Sequence, residues 1–176
     1  MTRDDFWAIL AAGPPMRRDD YCEELIDRLS RLPAPTILAF DQHLTDLLRA
    51  AYRADLWGAA YLINDGCSDD GFEYFRCWLV SQGREVYEAA LDNPDSLAGR
   101  EHVRNCILDW SSDDCDCEQL LYSPDRAYKR ATGRDMPPST GVRPHLGAMW
   151  DFNDIDEMIR RYPRLSALID EADALA

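Results

Sequence analysis

The stretch TILAFDQHLTDLLRAAYRADLWGAAYLI, residues 36–63, decides the fold class of this protein. Its first part repeats apolar side chains at helical spacing, which is typical of a helix with one face in a core: Ile37, Phe40, Leu44, Leu47 and Ala51. Its last part, Leu56–Ile63, is almost wholly apolar, which indicates burial on all sides. We therefore expect one central helix over residues 36–63, with a bend at Gly58.

The next stretch, INDGCSDDGFEYFRCWLVSQG at residues 63–83, places a turn with two adjacent aspartates before a helix that is apolar around nearly its whole circumference. Asp70 is the expected N-cap of this helix, because Glu73 three residues later can bond back to the amide of the cap. Ser68 and Asp69 are alternative caps. Only one residue can occupy the cap, so the aspartate pair has a second role, either structural or chemical.

Arg76 is the one cation on this apolar helix, and a buried charge needs a partner. We expect its guanidinium to be buried and bonded to a carboxylate or to main-chain carbonyl groups. Asp55, isolated on the preceding apolar helix, and Asp69 are the leading partners. One interpretation is a structural ion pair. The other is a catalytic or ligand-binding polar site built from Asp55, Asp69, Asp70 and Arg76.

Two amphipathic helices are predicted before the central one. Thr2 caps the first, with Asp5 three residues on, and the Gly-Pro-Pro sequence at residues 13–15 ends it. The second helix begins at the aspartates of residues 19–20, whose charges favour the positive end of a helix, and Pro33 breaks it.

After Gly83, residues 84–92 predict another helix, and Pro94 restarts the chain at a first helical position. The dipeptide at residues 123–124, Ser-Pro, opens a later helix that should end at Gly133.

A Pro/Gly-rich arm, residues 134–149, has no periodicity and is long for a plain connector. We expect it to pack over the body of the protein or to line a site. Two helices follow it. Asn153 or Asp154 caps the first, and Pro163 separates it from the last.

These patterns predict a mostly α protein, since no alternating strand pattern occurs. The 176 residues are enough for one compact, single-domain helical bundle with a sizeable core, with the long arm before the C-terminal helices. We divide the single domain, residues 1–176, into a helical core at about 2–98, an acidic variable segment at 99–122, and a third part at 123–176. This last part contains a helix, the arm and the C-terminal helices.

The charge balance restricts the partners. Nineteen basic residues against 33 acidic ones give a net charge of −14, which repels phosphate backbones and anionic membrane surfaces. We therefore expect no nucleic-acid or membrane binding, and an acidic surface favours a basic protein partner. The preference for arginine over lysine, with Lys129 the only lysine, is typical of a GC-rich bacterial genome.

The N-terminus, MTRDDFWAIL, lacks the basic start and apolar core of a secretory signal, and no apolar run approaches the roughly 20 residues of a membrane helix. We expect a cytoplasmic protein. Its six cysteines are then reduced thiols rather than a disulfide framework.

A zinc site is conceivable from His102, Cys106, Cys115 and Cys117, whose side chains are zinc-binding types. Their spacing, H-x3-C-x8-C-x-C, lacks the paired C-x2-C of structural sites, and acidic neighbours favour a solvated loop. We therefore expect no stoichiometric zinc and no cofactor. Cys67 precedes a helix start, where thiolates are stabilised, but no histidine is placed beside it as a base.

The core words AYRADLWGAAYLINDGCSDDGFEYFRCWLVSQGREVYEAALDNPDSLA, residues 51–98, resemble the signature of a bacterial family known as domain of unknown function 4240. Further similarity lies at Phe6-Trp7, at AYKRATGRDMP (127–137), and at WDFNDID and YPRL within 150–165. The resemblance implies a mostly helical fold and supplies no activity. The chain departs from the family pattern at CILDWSSDDCDCE, where fewer cysteines are expected.

The sequence favours a non-enzymatic interaction or regulatory module with an acidic surface. The alternative is an enzyme or small-ligand-binding protein that uses the polar site of Asp55, Asp69, Asp70 and Arg76. Neither the oligomeric state nor the identity of a ligand follows from the residues.

Overall fold

The computed structural model describes residues 1–11, 18–108, 115–138 and 145–174. Within these ranges the chain is helical and contains no strand, so the prediction of a mostly α fold is confirmed. The elements are α1 (Arg3–Ala11), α2 (Arg18–Ser30), α3 (Ala34–Ala50), α4 (Ala54–Ile63), α5 (Asp69–Ser81), α6 (Arg84–Asp92), a 3₁₀ helix (Pro94–Gly99), α7 (Glu101–Leu108), α8 (Glu118–Thr132), α9 (Ile155–Arg161) and α10 (Pro163–Asp173).

Local capping explains where several helices begin. At α1 the Thr2 amide donates to the Asp5 carboxylate at 2.7 Å and the Asp5 amide donates to the Thr2 hydroxyl at 3.1 Å, which confirms the predicted reciprocal cap. Asp154 caps α9 by accepting from the amide of Glu157. The cap of α5 is Ser68, which accepts from the Gly71 amide at 3.1 Å, so the expectation of Asp70 at this position is wrong.

The predicted central helix is two helices. The chain leaves helical geometry after Ala51 and is extended at Arg53, with φ −135° and ψ 143°, before α4 begins. Periodicity did not reveal this break, because it does not register contacts with groups that are far away in sequence. Arg53, for example, donates to the carbonyl of Leu91 at 2.6 Å.

Gly58 lies within α4, with helix on both sides of it. A Cβ atom at this position would lie 2.4 Å from the hydroxyl oxygen of Tyr162 and 2.9 Å from the ring of Trp150. Glycine is therefore required at this position for close approach of the C-terminal part of the chain.

α8 begins at Glu118, before the predicted start at residues 123–124, and Pro124 lies inside it. Proline cannot make the main-chain bond of a helix interior, but Leu120, Ser123 and Pro124 are buried where α8 packs against α2, α3 and α5. Tertiary packing thus outweighs the local cost of the proline. The predicted end is confirmed, since Gly133 has φ +72°.

The helices pack as two connected groups. α8 contacts α2, α3 and α5, whereas α10 contacts α4, α7, α9 and the 3₁₀ helix. α4 and α5 contact each other and join the groups, and one cluster of buried apolar residues extends from Phe6 to Ala172. No helix in the described part of the chain is long and apolar enough to cross a membrane.

The described residues of the Pro/Gly-rich arm, 134–138 and 145–149, contain no helix. Leu146 near its end packs against the core cluster, as do Trp150 and Phe152 just after it. This part of the arm therefore lies on the body of the protein, in agreement with the first of the two expectations for it.

Candidate functional site

The aspartate pair that begins α5 is exposed. Asp69 and Asp70 occupy the first turn, while Ser68 supplies the cap. Their charges face the positive end of the helix dipole, which stabilises them at an exposed position. The pair is thus available at the surface and is not needed to cap the helix.

Arg76 is buried, with 8% of its surface exposed, and lies on the inner side of α5. Its guanidinium donates to the carbonyl groups of Leu48 at 2.8 Å and Phe72 at 3.2 Å, and it lies over the rings of Tyr52 and Phe72. The prediction of a buried guanidinium bonded to main-chain carbonyls is confirmed. Among the described residues it forms an ion pair with Glu73, at 3.8 Å, and not with the predicted partners Asp55 and Asp69.

Asp55 forms an ion pair with a different cation, Arg53. Both of its carboxylate oxygens accept from the guanidinium of Arg53, and one also accepts from the amide of Leu56 at 2.9 Å. Arg53 extends from this pair to the carbonyl of Leu91 at the end of α6. The contacts of Asp55 therefore fix the start of α4 against α6.

The predicted polar site consequently divides into three locations. Asp55 is bound to Arg53, Arg76 is bonded to main-chain groups inside the protein, and Asp69 and Asp70 are at the surface. A pairing of Asp55 with Arg76 was expected because both looked isolated in sequence. Arg53, just before the apolar run of α4, was the overlooked partner.

A second polar surface joins α5 to α8, and we call it the tyrosine–carboxylate face. The amide of Cys117, which precedes α8, donates to the carbonyl of Tyr74 at 3.0 Å and brings the two helices together. The face is formed by three residues of α5 and two of α8, which interact with one another: Asp70, Glu73, Tyr74, Glu118 and Tyr122.

The two tyrosines interact with the carboxylates of this face. Partial desolvation raises the pKa of Tyr74, and the charge and hydrogen bond of Glu118 and the charge of Asp70 raise it further. Desolvation also raises the pKa of Tyr122, and the negative charges of Glu118 and Glu73 raise it further. Both phenols therefore stay protonated within a field of negative charge, and Tyr122 is 49% exposed.

The two tyrosines were not predicted from the sequence. The spacing of Asp70, Glu73 and Tyr74 places them on one side of α5, and Glu118 and Tyr122 are likewise four residues apart on α8. This spacing was a usable signal for each half of the face. Only the packing of α5 on α8 shows that the halves are adjacent.

Cys67 lacks the lowered pKa of a reactive thiol. It is half-buried, and burial raises its pKa to about 12, although Trp57 and Arg76 act in the other direction. The indole of Trp57 donates to the main-chain carbonyl of Cys67 at 2.9 Å and holds this turn in place. A thiolate stabilised by the helix start, as the sequence allowed, is therefore disfavoured.

The cysteines of the acidic segment are buried, so their expected place in a solvated loop is wrong. Cys106 is 9% exposed, Cys115 0% and Cys117 1%. Three of the four conceivable zinc ligands come together, with the donor atoms of His102, Cys106 and Cys115 within 4.8 Å of one another. Cys117 instead has its sulfur 3.7 Å from that of Cys22.

The sequence model of a family described as protein of unknown function (DUF4240) matches residues 1–130. The further similarity noted at 150–165 lies outside the matched residues and stays a prediction. No curated protein and no solved structure matches the chain.

Proposed function

The chain belongs to the DUF4240 family, whose description names no activity, and from the geometry we propose that it is an interaction module whose tyrosine–carboxylate face binds a basic protein segment. The observation that carries this proposal is the position of Tyr74 and Tyr122 among the carboxylates of α5 and α8. The net charge of −14 supports it, because it attracts basic partners over a long range.

The chemistry of the face suits an arginine or lysine side chain. Carboxylates supply charge-assisted acceptors, and an exposed phenol ring supplies a surface on which a cation can rest. Tyr122 has both properties, since its ring is about half exposed and its hydroxyl lies 3.5 Å from the Glu118 carboxylate. Tyrosine is also a residue type enriched at binding interfaces.

The enzymatic alternative receives less support. Asp55, Asp69, Asp70 and Arg76 have separate contacts, and the guanidinium of Arg76 is bonded to the carbonyl of Leu48 inside the protein. A substrate that used all four side chains would have to replace these bonds. We place the proposed module in the cytoplasm of a bacterium, where its six thiols would remain reduced.

The test is a titration of the isotope-labelled protein with a short arginine-rich peptide. Binding is monitored through the amide chemical shifts in NMR spectra. We expect shifts concentrated at the starts of α5 and α8, and affinity that falls as salt rises. Tyr122→Ala changes no charge and should weaken binding about fivefold through loss of the ring. Asp69→Asn with Asp70→Asn should also weaken binding, without unfolding α5, because Ser68 supplies its cap.

The matched control is Asp170→Asn with Asp173→Asn, which removes the same charge from exposed positions on α10. This variant should bind the peptide as the parent protein does. Equal loss in both double variants, or shifts spread over the whole acidic surface, would show non-specific attraction and contradict the proposal.

A further inference from the structure

The residues His102, Cys106 and Cys115 form a compact group of soft donor atoms, which we call the thiol–imidazole cluster. The two sulfur atoms are 3.0 Å apart, and the histidine nitrogen completes a set with all donors within 4.8 Å. Both cysteines are buried, whereas His102 is exposed. The cluster therefore opens to solvent on its histidine side.

Local structure accounts for two of the three positions. His102 and Cys106 are four residues apart on α7, so their side chains extend from the same face of the helix. The imidazole of His102 stacks on the ring of Trp78 in α5, with centroids 5.8 Å apart and an angle of 28° between planes. This contact restricts the orientation of the imidazole next to Cys106.

The third position is fixed by a residue far away in sequence. The amide of Cys115 donates to the side-chain oxygen of Asn64 at 3.2 Å, and the side-chain nitrogen of Asn64 donates to the carbonyl of Cys115 at 3.5 Å. Asn64 is the C-cap residue of α4. The main chain of Cys115 is thus held at both its donor and its acceptor, which presents its sulfur to α7.

We propose that the thiol–imidazole cluster binds one Zn²⁺ ion. Binding would remove one proton from each thiol, so that two thiolates and a neutral imidazole balance the charge of the ion and two protons are released. Zinc bonds are about 2.3 Å to sulfur and about 2.0 Å to nitrogen, which places two sulfurs of a tetrahedral site about 3.8 Å apart. The sulfurs of Cys106 and Cys115 would therefore separate by less than about 1 Å.

Three protein ligands leave the fourth tetrahedral position to water or to another donor. A Cys₂His set of this kind differs from closed structural sites, which use four protein ligands. The spacing of the residues in sequence favoured no zinc, because C-x-C is not a structural knuckle. The fold separates the two cysteines of that motif, and Cys115 joins α7 while Cys117 packs next to Cys22.

A disulfide between Cys106 and Cys115 is the competing use of the same sulfurs. It would require an oxidant to remove two electrons and two protons, and it would not use the imidazole of His102, which is a zinc-ligand type. The inclusion of an imidazole in the cluster therefore favours a metal ion over a disulfide. The zinc proposal does not depend on the tyrosine–carboxylate face.

The experiment uses the full-length protein, reduced with a phosphine and freed of metal by a chelator. Co²⁺ is added as a spectroscopic probe, followed by Zn²⁺. We expect one Co²⁺ per chain, with thiolate-to-cobalt charge-transfer absorption and the d–d bands of a tetrahedral complex, both abolished by Zn²⁺. Elemental analysis should then find one zinc per chain, and a chelator should lower the melting temperature of this form.

Variants distinguish the ligands from their neighbours. His102→Ala changes an exposed side chain and should weaken Zn²⁺ binding by more than about 100-fold, because even changes beside metal ligands cost 10- to 100-fold. Cys106→Ser should abolish the charge-transfer absorption. Cys117→Ser is the matched control, since it removes a buried thiol two residues from Cys115 and should keep one metal ion per chain.

Three outcomes would overturn the proposal. The reduced protein binds less than one Co²⁺ per chain, or binding persists in both His102→Ala and Cys106→Ser. In the third, the purified protein has a mass lower by two hydrogens and contains a Cys106–Cys115 disulfide that reduction does not convert to a metal site. Circular dichroism checks that each variant is folded. If Cys106→Ser does not fold, the metal affinity of His102→Ala alone tests the proposal.

Discussion

The hydroxyl of Tyr162 donates a 2.6 Å hydrogen bond to the main-chain carbonyl of Asp55, 107 residues earlier in the chain. The bond attaches the residue between α9 and α10 to the first turn of α4. Tyr162 can reach this carbonyl because Gly58, one turn further along α4, has no side chain. The glycine at position 58 of α4 is therefore explained by a contact with the C-terminal part of the chain and not by the periodicity of the helix.

The first prediction concerns Gly58→Ala. The added methyl group would meet the Tyr162 hydroxyl at 2.4 Å, and displacement of that ring should lower the free energy of unfolding by about 2 kcal/mol. Urea denaturation followed by circular dichroism measures the change. The sign of the change is informative. In an unobstructed helix, alanine in place of glycine would stabilise the protein by about 1 kcal/mol, whereas the contact with Tyr162 predicts destabilisation.

Gly71→Ala serves as its control. The nearest atom to a Cβ at this position, the Ser68 hydroxyl oxygen, is 3.3 Å away, so the change should be below about 1 kcal/mol. Tyr162→Phe should reduce the penalty of Gly58→Ala, because it removes the hydroxyl that the methyl group meets. Equal penalties in both backgrounds would refute the role given to the hydroxyl.

The second prediction is that Arg76→Ala lowers the free energy of unfolding by about 3 kcal/mol. The carbonyl of Leu48 would lose a charged donor at 2.8 Å, and the rings of Tyr52 and Phe72 would lose the guanidinium that lies over them. Arg76→Lys should be intermediate, because an ammonium group cannot reproduce the flat, forked donor. Chemical denaturation provides the measurement.

An exposed arginine provides the comparison for Arg76. Arg160 forms an ion pair with Glu157 on the surface of α9, and its side chain is 65% exposed. Arg160→Ala should therefore lower the free energy of unfolding much less than Arg76→Ala does. If the two alanine variants unfold at the same denaturant concentration, the buried contacts of Arg76 do not stabilise the fold as argued.

The third prediction concerns Asp95, a buried carboxylate in the 3₁₀ helix. It accepts from the amides of Arg164 at 3.1 Å and Leu165 at 2.9 Å, so it caps α10 from a different part of the chain. Asp95→Ala should destabilise the protein by about 2 kcal/mol, since it leaves these amides without their acceptor. Asp92→Ala, at the exposed end of α6, should have an effect below about 0.5 kcal/mol.

Hydrogen exchange locates the effect of the Asp95 change. The amides at the start of α10 should exchange faster in Asp95→Ala, whereas those of α2 should be unaffected beyond the global loss of stability. Faster exchange spread uniformly over both helices would indicate a general loss of packing and would not support a cap.

The fourth prediction is a low pKa for Glu157. Hydrogen bonds from Arg160 and Arg161 lower its pKa from 4.5 to about 2. A carboxylate with a lowered pKa stabilises the folded state above its unfolded pKa, so this contribution is lost as the pH falls from 4.5 towards 2. NMR titration of the side-chain carboxyl carbon measures it directly.

Variants of the arginines test the cause of this shift. Arg160→Gln removes the largest contributor and should raise the midpoint of the Glu157 titration, while Arg161→Gln should raise it less. Arg161 also lies over the ring of Trp150, at 3.8 Å from its centroid, so its replacement should alter tryptophan fluorescence as well. A Glu157 midpoint unchanged in both variants would exclude the two guanidinium groups as the cause.

Features that depend on near neighbours were predicted correctly. The reciprocal cap of Thr2 and Asp5 joins residues three apart, and the end of α8 at Gly133 follows from the conformational freedom of glycine. The burial of Arg76 followed from the apolar residues around it on α5. The cap and the helix end are each decided by groups within about one helical turn.

Features that depend on distant groups were predicted wrongly or not at all. The start of α8 was placed at residues 123–124 because Pro124 is locally unfavourable inside a helix, but packing against α2, α3 and α5 outweighs it. The partner of Asp55 was assigned to Arg76, although Arg53 is close enough to bind both carboxylate oxygens. Charge and burial alone do not specify which of several cations a carboxylate meets.

The sequence by itself determined the helical class, most helix positions, the apolar character of α5 and the strongly acidic charge, because periodicity, capping and composition act over short distances or on the whole chain. The tertiary structure decided which side chains meet: Tyr74 with Glu118, Arg76 with the carbonyl of Leu48, and Cys115 with Cys106 rather than with Cys117. These pairings follow from how α4, α5, α7 and α8 pack. Packing depends on contacts between residues far apart in sequence, such as Asn64 and Cys115, which are separated by 51 positions.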